Sequence, residues 1–140
     1  MKGSKYSEAM LIKGVVVEGI GESSRFTCIS WVREQFISLL GIKPYPGTFN
    51  LEIQDTFNLE QLRKIKRQKG REIVPAEPGY CPAKGFPVLV NGKIKGALII
   101  PLVPQYPEGK MEIIAPQNIR QALSLKNGDL VTVKILIGNE

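Results

Sequence analysis

The 140-residue sequence contains no histidine. Its absence excludes Ser-His-Asp and Cys-His arrangements, imidazole general-base catalysis and histidine metal ligation. Any chemistry must then come from carboxylates, lysine, amides, hydroxyls or a hard metal ion. Cysteine is nearly absent too: Cys28 and Cys81 stand far apart with neither metal-type nor CxxC spacing. That pattern argues against a zinc site or a redox dithiol and predicts two small buried residues. No apolar run approaches the roughly 20 residues of a membrane span, and Met1 to Lys5 lack the apolar stretch of a secretory signal. A soluble, cytoplasmic protein with no membrane partner is expected. Repeats, low-complexity segments and linkers are also missing.

What is present suffices for one domain. At 43% apolar residues the chain can bury its own core, and it is too short for two ordinary domains, so a single domain over residues 1–140 is expected. A formal net charge of +6 favours polyanionic ligands, and by itself suits nucleotide and nucleic acid equally.

Periodicity outlines the elements. Leu11 to Val17 is rich in β-branched residues and reads as a strand, followed by a loop over Glu18 to Ser24 and a short returning strand from Arg25 to Ile29. Ser30 is placed to cap a helix from Trp31 to Leu40, with Val32, Gln35, Phe36, Leu39 and Leu40 at helical spacing and Gly41 at the stop. Pro44 to Gly47 forms a rigid turn. Beyond it Phe49, Leu51 and Ile53 alternate on one strand face, leaving Thr48 and Asn50 on the other, solvent-accessible face. Asn58 and Gln61 resemble a capping box for a basic helix ending near Gly70, after which the Pro and Gly density from Arg71 to Phe86 implies a long loop. Asn91-Gly92 between Phe86–Val90 and Lys93–Ile100 is the strongest hairpin signal in the chain. Met111 to Ile114 reads as a strand, Pro116 to Leu123 as a short helix, and Leu130 to Ile137 as a final strand entered through Asn127-Gly128-Asp129. Many short strands with tight turns and two or three short helices point to a small, mainly β barrel, because closure removes exposed strand edges.

Several residues could carry chemistry. Gly19-Ile20-Gly21 follows a strand, and paired glycines let backbone N–H groups approach phosphate oxygens, although a plain turn would use the same residues. Thr48 and Asn50 offer a hydroxyl and an amide oxygen suited to a hard cation such as Mg²⁺, or else form an ordinary polar strand face. A helix starting at Pro116 would point the amides of Gln117, Asn118 and Ile119 outward, with Arg120 one turn on, giving an anion site. Glu112 precedes that site on its strand, where a carboxylate can accept hydrogen bonds from a ligand. The run from Arg63 to Arg71 is the most basic, without the aromatic interleaving that base stacking needs.

Three of these segments, Val17-Glu-Gly-Ile-Gly-Glu22, Tyr45-Pro-Gly-Thr-Phe-Asn-Leu51 and Met111-Glu-Ile-Ile-Ala-Pro-Gln-Asn-Ile-Arg120, resemble the archaeal CTP-dependent riboflavin kinases in order and spacing. The similarity runs from Lys13 to Ile137, and three coincident motifs are far more specific than one. The resemblance implies a small closed cradle-loop β-barrel that converts riboflavin and CTP to FMN and CDP with Mg²⁺; a monomer without a nucleic-acid partner is expected alongside it. It implies nucleotide contacts from Gly19, Ile20, Gly21, Glu22, Ser23, Ser24 and Arg25, and again from Gln117, Asn118, Ile119 and Arg120. Thr48 and Asn50 would hold the metal and Glu112 the flavin; no residue is marked as catalytic base. The chain departs from the family pattern at Ser23, within the glycine-rich loop, and at Pro104, where a flavin-contacting threonine is usual. Pro104 has neither hydroxyl nor N–H, so recognition of the flavin shifts to Gln105 or Tyr106. Two alternatives stand beside this reading: a diverged kinase with another small acceptor, or a non-catalytic barrel that binds nucleic acid or regulates through its basic helix.

Overall fold

The alternation of apolar residues is realised as seven strands in the computed structural model, which describes residues 8–19 and 26–138. They are β1 (Glu8–Val17), β2 (Phe49–Glu52), β3 (Arg71–Ile73), β4 (Ala83–Val90), β5 (Ile94–Pro101), β6 (Lys110–Ile114) and β7 (Leu130–Ile137). Three helices accompany them among the described residues: α1 (Ser30–Leu40), α2 (Thr56–Lys66) and α3 (Ile119–Ala122). All pairings are antiparallel, in the order β3-β4-β5-β6-β2-β1-β7, and β7 pairs back onto β4 with Val88 opposite Ile135. Six strands therefore close into a barrel. β3 and β7 share one edge of β4, β3 along its first half from Arg71 opposite Gly85, and β7 along its second. No helix among the described residues is long and apolar enough to cross a membrane.

Side chains on the two faces of the wall form two separate cores. Inward residues, among them Ile12, Leu51, Phe86, Leu98, Met111 and Val133, fill the barrel together with Leu62 and Ile65 of α2 and Ile119 of α3. Outward residues Ala97 and Ile99 of β5 and Ile114 of β6 pack beneath Val32 and Phe36 of α1 and Ile73 of β3. β5 is thus buried on both faces from Gly96 to Ile100, which is why its sequence is continuously apolar where β1 and β7 alternate.

Turn chemistry follows the sequence closely. Asn91 and Gly92 both adopt positive φ (49° and 68°), as the hairpin dipeptide requires, and Lys93 N–H closes the turn on Val90 O. Gly41 ends α1 in the left-handed region at φ 71°, with its N–H on Ile37 O, and Gly128 (φ 92°) turns the chain into β7.

Elsewhere the expected local pattern gives way. Phe26 and Thr27 form a helical turn rather than part of a returning strand, because Phe26 packs edge-on against Phe36 at 6.5 Å. Ser30 lies inside α1; Ile29 is its N-cap and makes no side-chain capping bond. α2 is capped by Asp55, whose carboxylate accepts from Asn58 N–H at 2.9 Å, and Asn58 spends its own amide oxygen on Lys13 N–H instead. That helix stops at Lys66, and Lys84 Nζ donates to the carbonyls of Lys66 and Gln68 beyond its end. The expected loop from Arg71 to Phe86 contains β3 and the start of β4. α3 begins at Ile119, not Pro116, with Asn118 as its cap. Cys28 and Cys81 are exposed free thiols rather than buried residues.

Candidate functional site

Strand pairing brings the polar residues of β2 and β6 together. Phe49 and Leu51, like Met111 and Ile113, point into the barrel, so period two turns Asn50 and Glu112 outward, where they lie directly opposite one another. Thr48 shares that outward face. Its hydroxyl lies 3.1 Å from Asn50 Oδ1 and 3.2 Å from Glu112 Oε1, and Asn50 Nδ2 donates to Thr48 O at 3.0 Å. Contrary to expectation, this face is not open to solvent at Asn50, which is 7% exposed. β1 runs alongside with Val17 opposite Asn50, and two residues later Gly19 closes over the amide. A Cβ on Gly19 would stand 2.5 Å from Asn50 Nδ2, so any larger residue here would displace the Asn50 amide.

Tyr106, from the loop between β5 and β6, completes the cluster. Its hydroxyl donates to Glu112 Oε2 at 2.6 Å, and burial followed by the neighbouring carboxylate raises the phenol well above its usual pKa, keeping the proton on the tyrosine. Lys110 Nζ lies 3.7 Å from the same carboxylate oxygen. Three side-chain oxygens of Thr48, Asn50 and Glu112 therefore converge. Of these, the neutral Thr48 hydroxyl and Asn50 amide oxygen, 3.1 Å apart, fit a small divalent cation that keeps several waters, with the Glu112 carboxylate beside them. The set differs from a carboxylate cage, since no group of three or more His, Cys, Asp or Glu that could hold a metal occurs among the described residues.

Beside this cluster a cleft of about 110 Å³ is lined by Tyr45, Gly47 and Thr48 on one side and by Gln117, Asn118 and Arg120 on the other. Two segments well separated in sequence thus face one space. The end of β1 is tied to it as well: Arg120 Nη1 donates to Asn127 Oδ1 (2.9 Å), and Asn127 Nδ2 donates to Glu18 Oε1 (3.2 Å), next to Gly19. Because α3 starts late, Gln117 N–H belongs to the approach loop and Asn118 spends its side chain on Gln121 N–H. Arg120 is the cationic group that this segment brings to the cleft.

Ile20, Gly21, Glu22, Ser23, Ser24 and Arg25 lie outside the described residues. Gln105 is exposed on the β5–β6 loop, while Tyr106 faces Glu112. Thr27 is a residue that sequence alone does not single out: it is 1% exposed, and its Oγ1 accepts from Gly47 N–H at 2.9 Å, joining the segment before α1 to the Pro44–Gly47 turn. Nothing in a single threonine between Phe26 and Cys28 signals that contact. The basic run is partly spent internally, with Arg63 paired to Glu60 and Glu108, and Lys66 Nζ on Glu108 O.

The family model of the CTP-dependent riboflavin kinases, which carries the description domain of unknown function DUF120, matches residues 16–135. The riboflavin kinase of Sulfurisphaera tokodaii is 37% identical over 130 residues, covering 90% of this chain and 95% of that protein. That of Methanothermobacter thermautotrophicus is 34% identical over 117 residues, covering 84% and 92%. That of Methanobrevibacter smithii is 30% identical over 125 residues, covering 89% and 99%.

Proposed function

The chain belongs to the CTP-dependent riboflavin kinase family, and on that premise we propose that it transfers the γ-phosphoryl group of CTP to a hydroxyl of riboflavin with Mg²⁺, giving FMN and CDP. The bond between the γ-phosphorus and the oxygen bridging to the β-phosphate breaks, with its electron pair leaving on CDP. A bond from the flavin hydroxyl oxygen to phosphorus forms, and the hydroxyl proton is released.

Such a transfer asks the protein mainly for positioning and charge neutralisation, which a chain without histidine can supply. Thr48 and Asn50 would hold Mg²⁺, which when bound neutralises phosphate charge. Arg120 would contribute a guanidinium to the same phosphates, with Gln117, Asn118 and Ile119 along the cleft, and the resemblance adds nucleotide contacts from Gly19 to Arg25. Glu112 would receive the flavin, with Gln105 of the β5–β6 loop as a further contact. The observation that carries this assignment is the meeting of the Thr48, Asn50 and Glu112 oxygens beside a cleft that also holds Arg120.

The decisive experiment is riboflavin phosphorylation by purified protein, comparing CTP with ATP and Mg²⁺ with EDTA. FMN should appear with CTP and Mg²⁺ and vanish with EDTA. Asn50→Ala should lower kcat/KM on the order of a hundredfold or more, the scale of losing one preorganised polar group at the reacting phosphates. A folded enzyme that makes no FMN with either donor, or an Asn50→Ala variant with full turnover, would refute the assignment.

A further inference from the structure

Glu112 is held from both sides, and only one of its partners follows from the motif around Thr48. Its Oε1 lies 3.2 Å from the Thr48 hydroxyl, and its Oε2 accepts from the Tyr106 hydroxyl at 2.6 Å. The single Thr48 proton is shared with Asn50 Oδ1 at 3.1 Å, so Tyr106 is the hydroxyl donor that Glu112 has to itself, and both carboxylate oxygens keep acceptor capacity for a ligand.

Tyr106 is itself anchored. The β5–β6 loop is tied down at one end by Leu102 N–H on Pro82 O (2.9 Å) and at the other by Ile53 N–H on Gly109 O (2.9 Å). Between them Tyr106 N–H bonds to Val103 O (3.3 Å), and the ammonium groups of Lys110 and Lys66 stand 5.5 and 5.9 Å from the ring centroid. Pro104 and Gln105, the two residues before it, are exposed. A loop that carries proline where a hydroxyl is usual has therefore kept a hydroxyl close by, aimed at the carboxylate rather than at open solvent.

We propose that Tyr106 is the positioning residue for acceptor recognition, setting the orientation of Glu112 through its phenolic hydroxyl. This rests on the assignment of Glu112 to the flavin made above. An unclamped glutamate on a strand would sample several rotamers, and ordering it at the moment of binding would weaken the complex.

The test is a double-mutant cycle on riboflavin binding, read by quenching of flavin fluorescence without nucleotide, with KM for riboflavin and for CTP measured alongside. Tyr106→Phe keeps the ring and its lysine contacts and removes only the hydroxyl. It should weaken riboflavin binding and raise its KM about tenfold, equivalent to about 1.4 kcal/mol, with CTP KM and thermal midpoint unchanged. Glu112→Gln should weaken riboflavin binding at least as much, and adding Tyr106→Phe to it should cost nothing further. Unchanged riboflavin affinity in Tyr106→Phe, with Glu112→Gln impaired, would overturn the role of Tyr106 alone. Fully additive losses would also overturn it, since Tyr106 would then act on the flavin directly. Wild-type affinity in Glu112→Gln would overturn both, and place the fault in the assignment of Glu112.

Discussion

The two halves of the barrel wall have the same inside and different outsides. Along β4, β5 and β6 the outward residues Ala83, Ala97, Ile99 and Ile114 are buried under α1 and β3. Along β1 and β7 the outward Leu11 and Leu130 stay 60% and 62% exposed, and the outward Lys13 and Lys134 are exposed as well. The polar cluster falls where the second layer stops. Ile114 on β6 belongs to the covered half, whereas Glu112 two residues before it meets Thr48 and lies opposite Asn50, over which Gly19 closes. A wall covered on both faces has no room for a ligand, and a bare wall has no groups to shield it from water. The seam between them offers partly buried polar atoms beside open space, which is what a charged substrate needs.

The difference between the halves can be tested from the covered side first. Phe36→Ala removes a ring that is 1% exposed and at the centre of the outer layer, and should destabilise the fold by about 3–5 kcal/mol, read by chemical denaturation. A loss near zero would mean that α1 rests loosely on the wall.

At the seam, Gly19→Ala should behave oppositely. The new methyl would meet the Nδ2 end of the Asn50 side chain, which gives way by releasing its bond to Thr48 O, so the stability loss should stay well below that of Phe36→Ala. With Asn50 displaced, kcat/KM for CTP should fall on the order of a hundredfold, as expected when a group near the reacting phosphates is shifted by about 1 Å. Unaltered turnover would show that the Gly19–Asn50 contact is packing alone.

The smallest effect belongs to the bare half. Leu11→Ser changes an outward residue that no second layer covers, and should alter stability by no more than about 0.5 kcal/mol and leave riboflavin phosphorylation unchanged. A large loss would reveal a partner on that surface and end the contrast between the halves.

Legibility in the sequence tracked the range of the interactions involved. The hairpin at Asn91-Gly92, the stop at Gly41 and the entry to β7 at Gly128 were all readable, because each depends on backbone conformations that few residues adopt. Helix starts were readable only to within a few residues. Asp55 outcompeted Asn58 as cap, and Asn118 displaced Pro116 as the start of α3, since several polar residues in each stretch could serve. Thr48, Asn50, Glu112 and Arg120 were legible as candidates, and the structure brings them to one cluster and its adjoining cleft. The hydroxyl clamp on Glu112 was not, because a loop tyrosine six residues before a strand glutamate has many possible partners.

By itself the sequence determined the inward face of the barrel and the places where the chain must turn, because strand alternation and glycine conformations are local properties with a short period. Only the tertiary structure decided that three residues from Arg71 to Ile73 form a strand, which has no stability without the edge of β4. The same is true of the helical turn at Phe26, which exists by packing on Phe36. Closure of the sheet also decided the environment of Asn50: an amide that alternation alone leaves in water is covered once β1 lies beside β2 and brings Gly19 across it. Burial of this kind depends on which distant segments become neighbours, and that is settled by the closed register of the whole barrel rather than by any stretch of it.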